Sequence, residues 1–394
     1  RLPREVEEVV AVGELALDGE VRAVPGSLAA LVVARRTGKR CLLPPGSSLA
    51  HEIGDGAVIV DSLADAMAVI GGAPGRPVPR PGPPPAASEC DLREVRGQLA
   101  ARRALEIAAA GGHHLFMVGP PGAGKTMLAR CLPGIMSPLG AEEQLEVALA
   151  YDAAGRRAPS PGVRPFRSPH HSATMAARVG GGTGMPRPGE VTLAHRGVLF
   201  LDELGEFPPG LLDALRQPVE DGVVTVARRG ATVEFPCAAQ VVAAANPCPC
   251  GYGGDRQVGC DCTAGIKARY RRRFSGPLLD RFDLHVRVDR LLPRDLTGSG
   301  GESSAVVEQR VVAARQRQTR RGCVNGWLDR RRLDDLPWSA GAVSALRKAA
   351  DEGSLSARGW DRVRRVARTV ADLDGTEVVA AQHVTEAAGL RGAV

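Results

Sequence analysis

The sequence predicts an α/β protein in which a parallel sheet is flanked by helices, with a smaller α/β unit before it and a helical unit after it. Three observations carry this. Wholly apolar runs at Leu115–Val118, Val198–Leu201 and Val241–Ala245 read as strands buried on both faces. The first of them runs into Gly119-Pro-Pro-Gly-Ala-Gly-Lys-Thr126, a glycine-rich turn of the kind that joins such a strand to a helix. The chain after Ala305 has helical periodicity, with Gly353 and Gly375 just beyond two of its helical runs.

In chain order, residues 1–72 alternate short apolar runs (Val9–Val12, Leu42–Leu43, Ala57–Val60) with helical patterns at Leu28–Arg35 and Leu63–Ile70, which predicts the small α/β unit. Residues 73–89 are a linker marked by the run GGAPGRPVPRPGPPPAA at Gly71–Ala87, where proline removes backbone donors and stiffens an extended chain. Residues 90–290 repeat strand, loop and helix and form the parallel core. A Gly/Ser-rich gap at Gly298–Ser304 leads into an arginine-rich helix, Ala305–Arg321, within a connecting segment 291–324. Residues 325–394 predict a helical domain, with helices near Ala340–Asp351, Trp360–Asp374 and Ala381–Leu390.

A chain of 394 residues exceeds what one core usually organises. No uninterrupted apolar stretch approaches the roughly 18 residues of a membrane span, so no membrane partner is expected. Nine cysteines, four of them between Cys248 and Cys262, do not resemble a secreted disulfide framework and point to a reducing cytoplasm. The net charge is +7, with arginines clustered at Arg269–Arg273, Arg310–Arg321, Arg330–Arg332 and Arg358–Arg368, which fits an anionic partner or simply solvated helix faces. The chain opens on Arg1 and enters strand-like sequence at once, as expected of a fragment lacking its natural N-terminus.

The glycine-rich turn matches a P-loop in pattern and in context. Gly119, Pro120, Pro121, Gly122, Ala123 and Gly124 would wrap backbone N–H groups around phosphates, Lys125 would reach the β- and γ-phosphates, and the Thr126 hydroxyl would hold Mg²⁺. Downstream, Gly197-Val-Leu-Phe-Leu-Asp202-Glu203 is an apolar strand ending in two carboxylates, the form of a Walker B element. Asp202 would join the Mg²⁺ shell and Glu203 would polarise the attacking water. The strand Val241–Ala245 ends in Asn246, whose amide would position the same water in a sensor 1 arrangement.

Together with Asp91–Gln98, Pro165-Phe-Arg-Ser-Pro-His-His171, Asn246-Pro-Cys-Pro-Cys-Gly251 and Ser275–Leu284, these motifs resemble the ComM/YifB family of magnesium-chelatase-like AAA+ ATPases across nearly the whole chain. The resemblance implies an AAA+ P-loop core with a C-terminal helical lid, using ATP and Mg²⁺. It places Arg281 as the arginine finger for an adjacent subunit's ATP and Arg358 as the sensor 2 arginine of the lid. It also implies a homo-oligomeric, hexameric ring acting on DNA by branch migration during homologous recombination and natural transformation. Two rivals stand beside it, a magnesium-chelatase-type motor for metal insertion and a nucleotide-dependent switch or scaffold.

Residues 13–28 resemble the end of a Lon-type protease domain, but Leu28 stands where that family has its catalytic Lys, and no Lys occurs before Lys39. The segment that would bring the nucleophilic Ser is absent, and a Ser without a base is a poor nucleophile, so proteolysis is rejected.

Three further features remain. Cys248, Cys250, Cys260 and Cys262 could close a tetrahedral zinc site or be reduced, loosely packed thiols. Two β-rich runs between Val223 and Phe235 predict a hairpin tipped by Arg228 and Arg229, which would grip DNA phosphates or serve solubility. Residues Gly162–Pro188, carrying His170 and His171, read as an insertion in the second helix that forms a mobile pore loop, with the histidines unassigned.

Overall fold

A computed structural model describes residues 7–47, 57–78, 90–181, 186–228, 231–255, 257–274, 276–291, 300–353 and 355–391. The N-terminal part contains β1 (Val9–Ala11), α1 (Ser27–Arg36), β2 (Arg40–Leu43), β3 (Ala57–Ile59), α2 (Leu63–Ile70) and β4 (Arg76–Pro77). The first three strands are parallel neighbours, and β4 joins the edge antiparallel. Its core of Leu28, Leu31, Cys41, Leu43 and Ile59 continues onto Ala148. The Asp152 carboxylate accepts from Leu28 N–H at 2.9 Å, so a side chain from the next part of the chain caps α1 and docks the unit. Leu28 itself is buried, a packing residue of that core.

The central part comprises α3 (Leu99–Gly111), β5 (Leu115–Val118), α4 (Lys125–Cys131), α5 (Ala141–Ala153), β6 (Phe166–Arg167), β7 (Val198–Leu201), the hairpin strands β8 (Val223–Arg228) and β9 (Ala231–Pro236), β10 (Gln240–Ala245), α6 (Ala264–Arg271) and β11 (Leu284–Arg287). Five of the strands form one sheet in the order β11-β5-β10-β7-β6, every pair parallel. Side chains alternate between its faces. Leu115 and Met117 pack with Phe200, Val242 and Val286 on one face, and Phe116 joins Leu199, Leu201 and Val241 on the other.

The C-terminal helices are α7 (Ser304–Arg320), α8 (Ala340–Gly353), α9 (Ala357–Leu373) and α10 (Ala381–Gly389). Val307 and Val311 of α7 and Val363, Val366 and Val370 of α9 belong to the same core as the first sheet face. Each buried valine contributes about 1.5–3 kcal/mol, enough to hold these heavily charged helices against α3. Buried Gln318 adds a hydrogen bond from Nε2 to Ala110 O at 2.9 Å. Among the described residues no helix is long and apolar enough to cross a membrane.

One expectation is corrected. The segment Gly162–Pro188 is not merely an insertion, because β6 lies inside it and pairs with β7 through Phe166↔Val198 and Arg167↔Leu199. Phe166 stacks on Phe200 with ring centroids 6.0 Å apart, and Arg167 Nε meets Glu190 Oε2 at 2.5 Å. A two-residue strand bounded by prolines has no periodicity of its own; it is held by these tertiary contacts. Residues 182–185, in the glycine-rich stretch, lie outside the described residues.

Candidate nucleotide-binding and catalytic site

The sheet's register brings the motifs together. Ala245 of β10 lies opposite Val118 of β5, so Asn246 and Gly119 leave the sheet side by side, and Gly119 N–H donates to Ala245 O at 3.2 Å. Leu201 of β7 lies opposite Ala243, which brings Asp202 and Glu203 to the same end of the sheet. This carboxyl end of a parallel sheet is where open α/β folds bind ligands.

Gly119 passes so close to β11 that a Cβ there would stand 1.9 Å from Val288 O, so only glycine fits. The turn then swings outward, and Gly124 takes φ +92 with open space on its Cβ side. Lys125 is 9% exposed, and its Nζ donates to Gly119 O at 2.6 Å, to Pro120 O at 2.9 Å and to Asn246 Oδ1 at 3.3 Å. Burial lowers its pKa, while the charges of Asp202 and Glu203 pull it back up. Thr126 Oγ1 donates to Asp202 Oδ2 at 2.8 Å. A hydroxyl and a carboxylate in contact beside an open glycine turn suit a hard cation that keeps several waters, so this donor set fits Mg²⁺ with a nucleotide's phosphates.

Glu203 sits in the left-handed region at φ +52, and the Asp202 carboxylate accepts from its N–H at 2.9 Å. The sharp turn leaves the Glu203 side chain 57% exposed at the strand end. His171 stands beside it, with Nδ1 3.7 Å from Glu203 Oε2. His170 stacks on His171 at 4.1 Å between centroids, and buried Arg178 donates to His170 O at 2.7 Å while lying over the Phe207 ring. The neighbour of Glu203 was therefore missed from sequence. No local signal marked it, because the two-residue strand that precedes His170 and His171 has no periodicity of its own.

Arg281 and Arg358 lie elsewhere. They line one cavity of about 280 Å³ with Glu220, Asp283, Arg362 and Arg365, and none of Gly119–Thr126 lines it. Arg281 NH2 pairs with Glu220 Oε2 at 2.9 Å. Arg362, one turn beyond Arg358, is engaged by Asp283 Oδ1 at 2.6 Å and by Arg281 O at 2.9 Å. Burial alone would raise the Asp283 carboxyl, but the His113 ring and the Arg362 guanidinium outweigh it and hold it well below the usual carboxylate range. Arg358 remains exposed on the same helix face.

The thiols of Cys248, Cys250, Cys260 and Cys262 all lie within 4.8 Å of one another. A backbone N–H from Tyr252 lowers the Cys250 thiol to about 6, and burial pushes Cys248 up to about 12. The hairpin β8–β9 forms as expected, with Arg228 opposite Ala231. The Arg228 side chain, Arg229 and Gly230 lie outside the described residues.

Comparison with known proteins bears on this arrangement. The family model for magnesium chelatase subunit ChlI matches residues 91–296, and that for the ChlI C-terminal region matches residues 301–391. The uncharacterized protein YifB of Escherichia coli K12 is 41% identical over 407 residues, covering 98% of this chain and 78% of its own. Competence protein ComM of Haemophilus influenzae is 39% identical over 399 residues, covering 97% of this chain and 77% of its own. Lon protease 2 of Bacillus subtilis is 33% identical over 141 residues, 33% of this chain and 25% of its own. Two family models end to end over the core and the lid, with two relatives near 40% identity over almost every residue, lead to one conclusion: the chain belongs to the magnesium-chelatase-like AAA+ ATPases, in their ComM/YifB branch.

Proposed function

We propose that this chain is an ATP-hydrolysing ring motor that works on DNA as a helicase or branch-migration factor of the ComM type, in a reducing cytoplasm. The observation that carries the ATPase reading is the convergence of Lys125, Asn246, Thr126 and Asp202 at adjacent strand ends. In this reading the Gly119–Gly124 turn cradles the phosphates, and Lys125 leaves the carbonyls of Gly119 and Pro120 for phosphate oxygens. Thr126 and Asp202 hold Mg²⁺, which when bound withdraws charge from those oxygens. Glu203 accepts the proton of the water that attacks the γ-phosphorus, and Asn246 orients that water.

Arg281 and Arg358 share a cavity with no P-loop residue; Arg281 is assigned as the arginine finger for the ATP of an adjacent protomer in a ring, and Arg358 as the sensor 2 arginine of the lid. The four cysteines are assigned to one structural zinc. The DNA substrate rests on likeness to a competence protein and on the hairpin carrying Arg228 and Arg229.

ATPase rate measured with and without single-stranded, duplex and branched DNA tests the reading. Stimulation by DNA is expected. An active ATPase that neither binds DNA nor responds to any of the three overturns it in favour of a metal-insertion motor, the reading suggested by the ChlI family models.

A further inference from the structure

The four-cysteine cluster is built into the wall of the nucleotide site. A tetrahedral tetrathiolate with metal–sulfur bonds of about 2.3 Å has sulfur–sulfur edges of about 3.8 Å. The pairs Cys248–Cys250, Cys248–Cys260 and Cys250–Cys260 stand at 3.3, 3.7 and 3.6 Å. Those spacings need only small shifts to close on one ion and are far longer than the bond of about 2.0 Å in a disulfide. Gly253 N–H donates to Cys248 Sγ at 3.2 Å, the kind of support that orients a thiolate ligand. Four soft thiolates in a tetrahedron select zinc among the common divalent ions.

The loop that carries these thiols has almost no apolar core. Of its described residues from Pro249 to Cys262, only Gly251 is buried. Yet that one residue rests on the P-loop, since a Cβ on Gly251 would stand 2.6 Å from Pro121 Cδ, and its φ is +86. At its start, Asn246 stands two residues before Cys248 and accepts from Lys125. Further ties are Arg287 NH2 donating to Gly254 O at 2.7 Å, Arg290 lying over the Tyr252 ring with its Nε 3.6 Å from Asp255 Oδ2, and Cys248, which is itself buried. With so little burial to offset the entropy of ordering it, this loop needs a cross-link to keep its shape.

We infer that the cluster is a tetrathiolate zinc centre that braces the nucleotide site: loading it holds Gly251 against Pro121 and Asn246 beside Lys125, so that nucleotide affinity depends on the metal. The inference rests on the zinc assignment proposed above. It extends that assignment from a local staple to a part of the ATP site.

The test uses the purified chain, never exposed to chelator, with zinc measured by atomic emission and Kd measured for a non-hydrolysable ATP analogue. Wild type is expected to carry about one zinc per chain. Cys250→Ser/Cys260→Ser is expected to lose the zinc, keep its circular dichroism and bind the analogue about tenfold or more weakly. Gly251→Ala keeps all four thiols and the zinc, yet should also bind about tenfold more weakly, because a side chain at this φ is strained and meets Pro121. If the double variant fails to fold, wild type stripped of zinc by a chelator and then reloaded decides, with affinity expected to fall and to return with the metal.

Wild type without zinc overturns the metal assignment. Zinc-bearing wild type with undiminished affinity in the zinc-free double variant, or in Gly251→Ala, overturns the bracing role alone. A zinc-bearing wild type that binds no analogue overturns the nucleotide site itself.

Discussion

At Glu203 the backbone adopts a left-handed turn that costs a non-glycine residue about 1–3 kcal/mol. That strain turns the side chain outward at the strand end, where a carboxylate is useful only if something holds it. His171 is the nearby partner, with its Nδ1 3.7 Å away. Two predictions belong at this scale. Lys125→Ala should abolish ATP binding, whereas Glu203→Gln should bind ATP and lose turnover; equilibrium binding with steady-state hydrolysis separates them, and full turnover in Glu203→Gln would remove it from the mechanism. His171→Ala should lower kcat about tenfold or more with KM unchanged, because a displacement near 1 Å of a catalytic group carries penalties of that order. As a positioning residue it should be partly rescued by His171→Gln, whose amide is also a hydrogen-bond donor. A rise in KM with kcat intact would instead make it a binding residue.

Elements cooperate through single buried contacts, clearest where α9 meets the sheet. Arg362 and Asp283 join lid to core at 2.6 Å, with side chains 12% and 3% exposed. Removing the cation leaves the buried carboxylate with only the His113 ring and the His114 N–H beside it, so Arg362→Ala should destabilise the fold by up to about 3–5 kcal/mol. Arg362→Lys should recover only part, lacking the planar fork. The Asp283 carboxyl is depressed in the folded state, so its stabilisation is complete above its ordinary value of 3.8 and is lost as pH falls below that. Denaturant midpoints across that window measure both effects, and a wild-type midpoint flat between pH 5 and about 2.5 would contradict the pairing. On the hairpin, Arg228→Ala/Arg229→Ala should flatten the slope of log affinity for single-stranded DNA against log salt by about one unit or more, since each neutralised phosphate contributes about 0.7. Parallel slopes for the two proteins would make the hairpin arginines solubility charges.

At the scale of the whole molecule, Arg281 and Arg358 share a cavity that no P-loop residue lines. A chain that both binds ATP and supplies a finger must then do so for different nucleotides. Arg281→Ala should bind ATP but hydrolyse it about 10³–10⁵-fold more slowly. Mixed with Glu203→Gln, which keeps the finger and lacks the base, it should regain partial activity in shared rings. Mixed rings verified by differential tagging that stay inactive would place Arg281 outside the reaction. The N-terminal part joins this body through Asp152 and Ala148, with Leu28 buried in the shared core.

The sequence by itself determined the parallel α/β core, the P-loop, the carboxylate pair after the Val198–Leu201 strand, the strand ending at Asn246 and the helical C-terminal region. Each is a contiguous run whose chemistry is set by neighbours in the chain, so spacing alone reveals it. Only the tertiary structure decided that His171 faces Glu203, that Phe166–Arg167 is a sheet edge, that Arg362 belongs to Asp283 while Arg358 stays open, and that Gly251 rests on Pro121. Arg362 and Asp283 are 79 positions apart. Contacts of that kind depend on strand register and side-chain direction, which only packing of the whole chain specifies, so no local pattern could carry them.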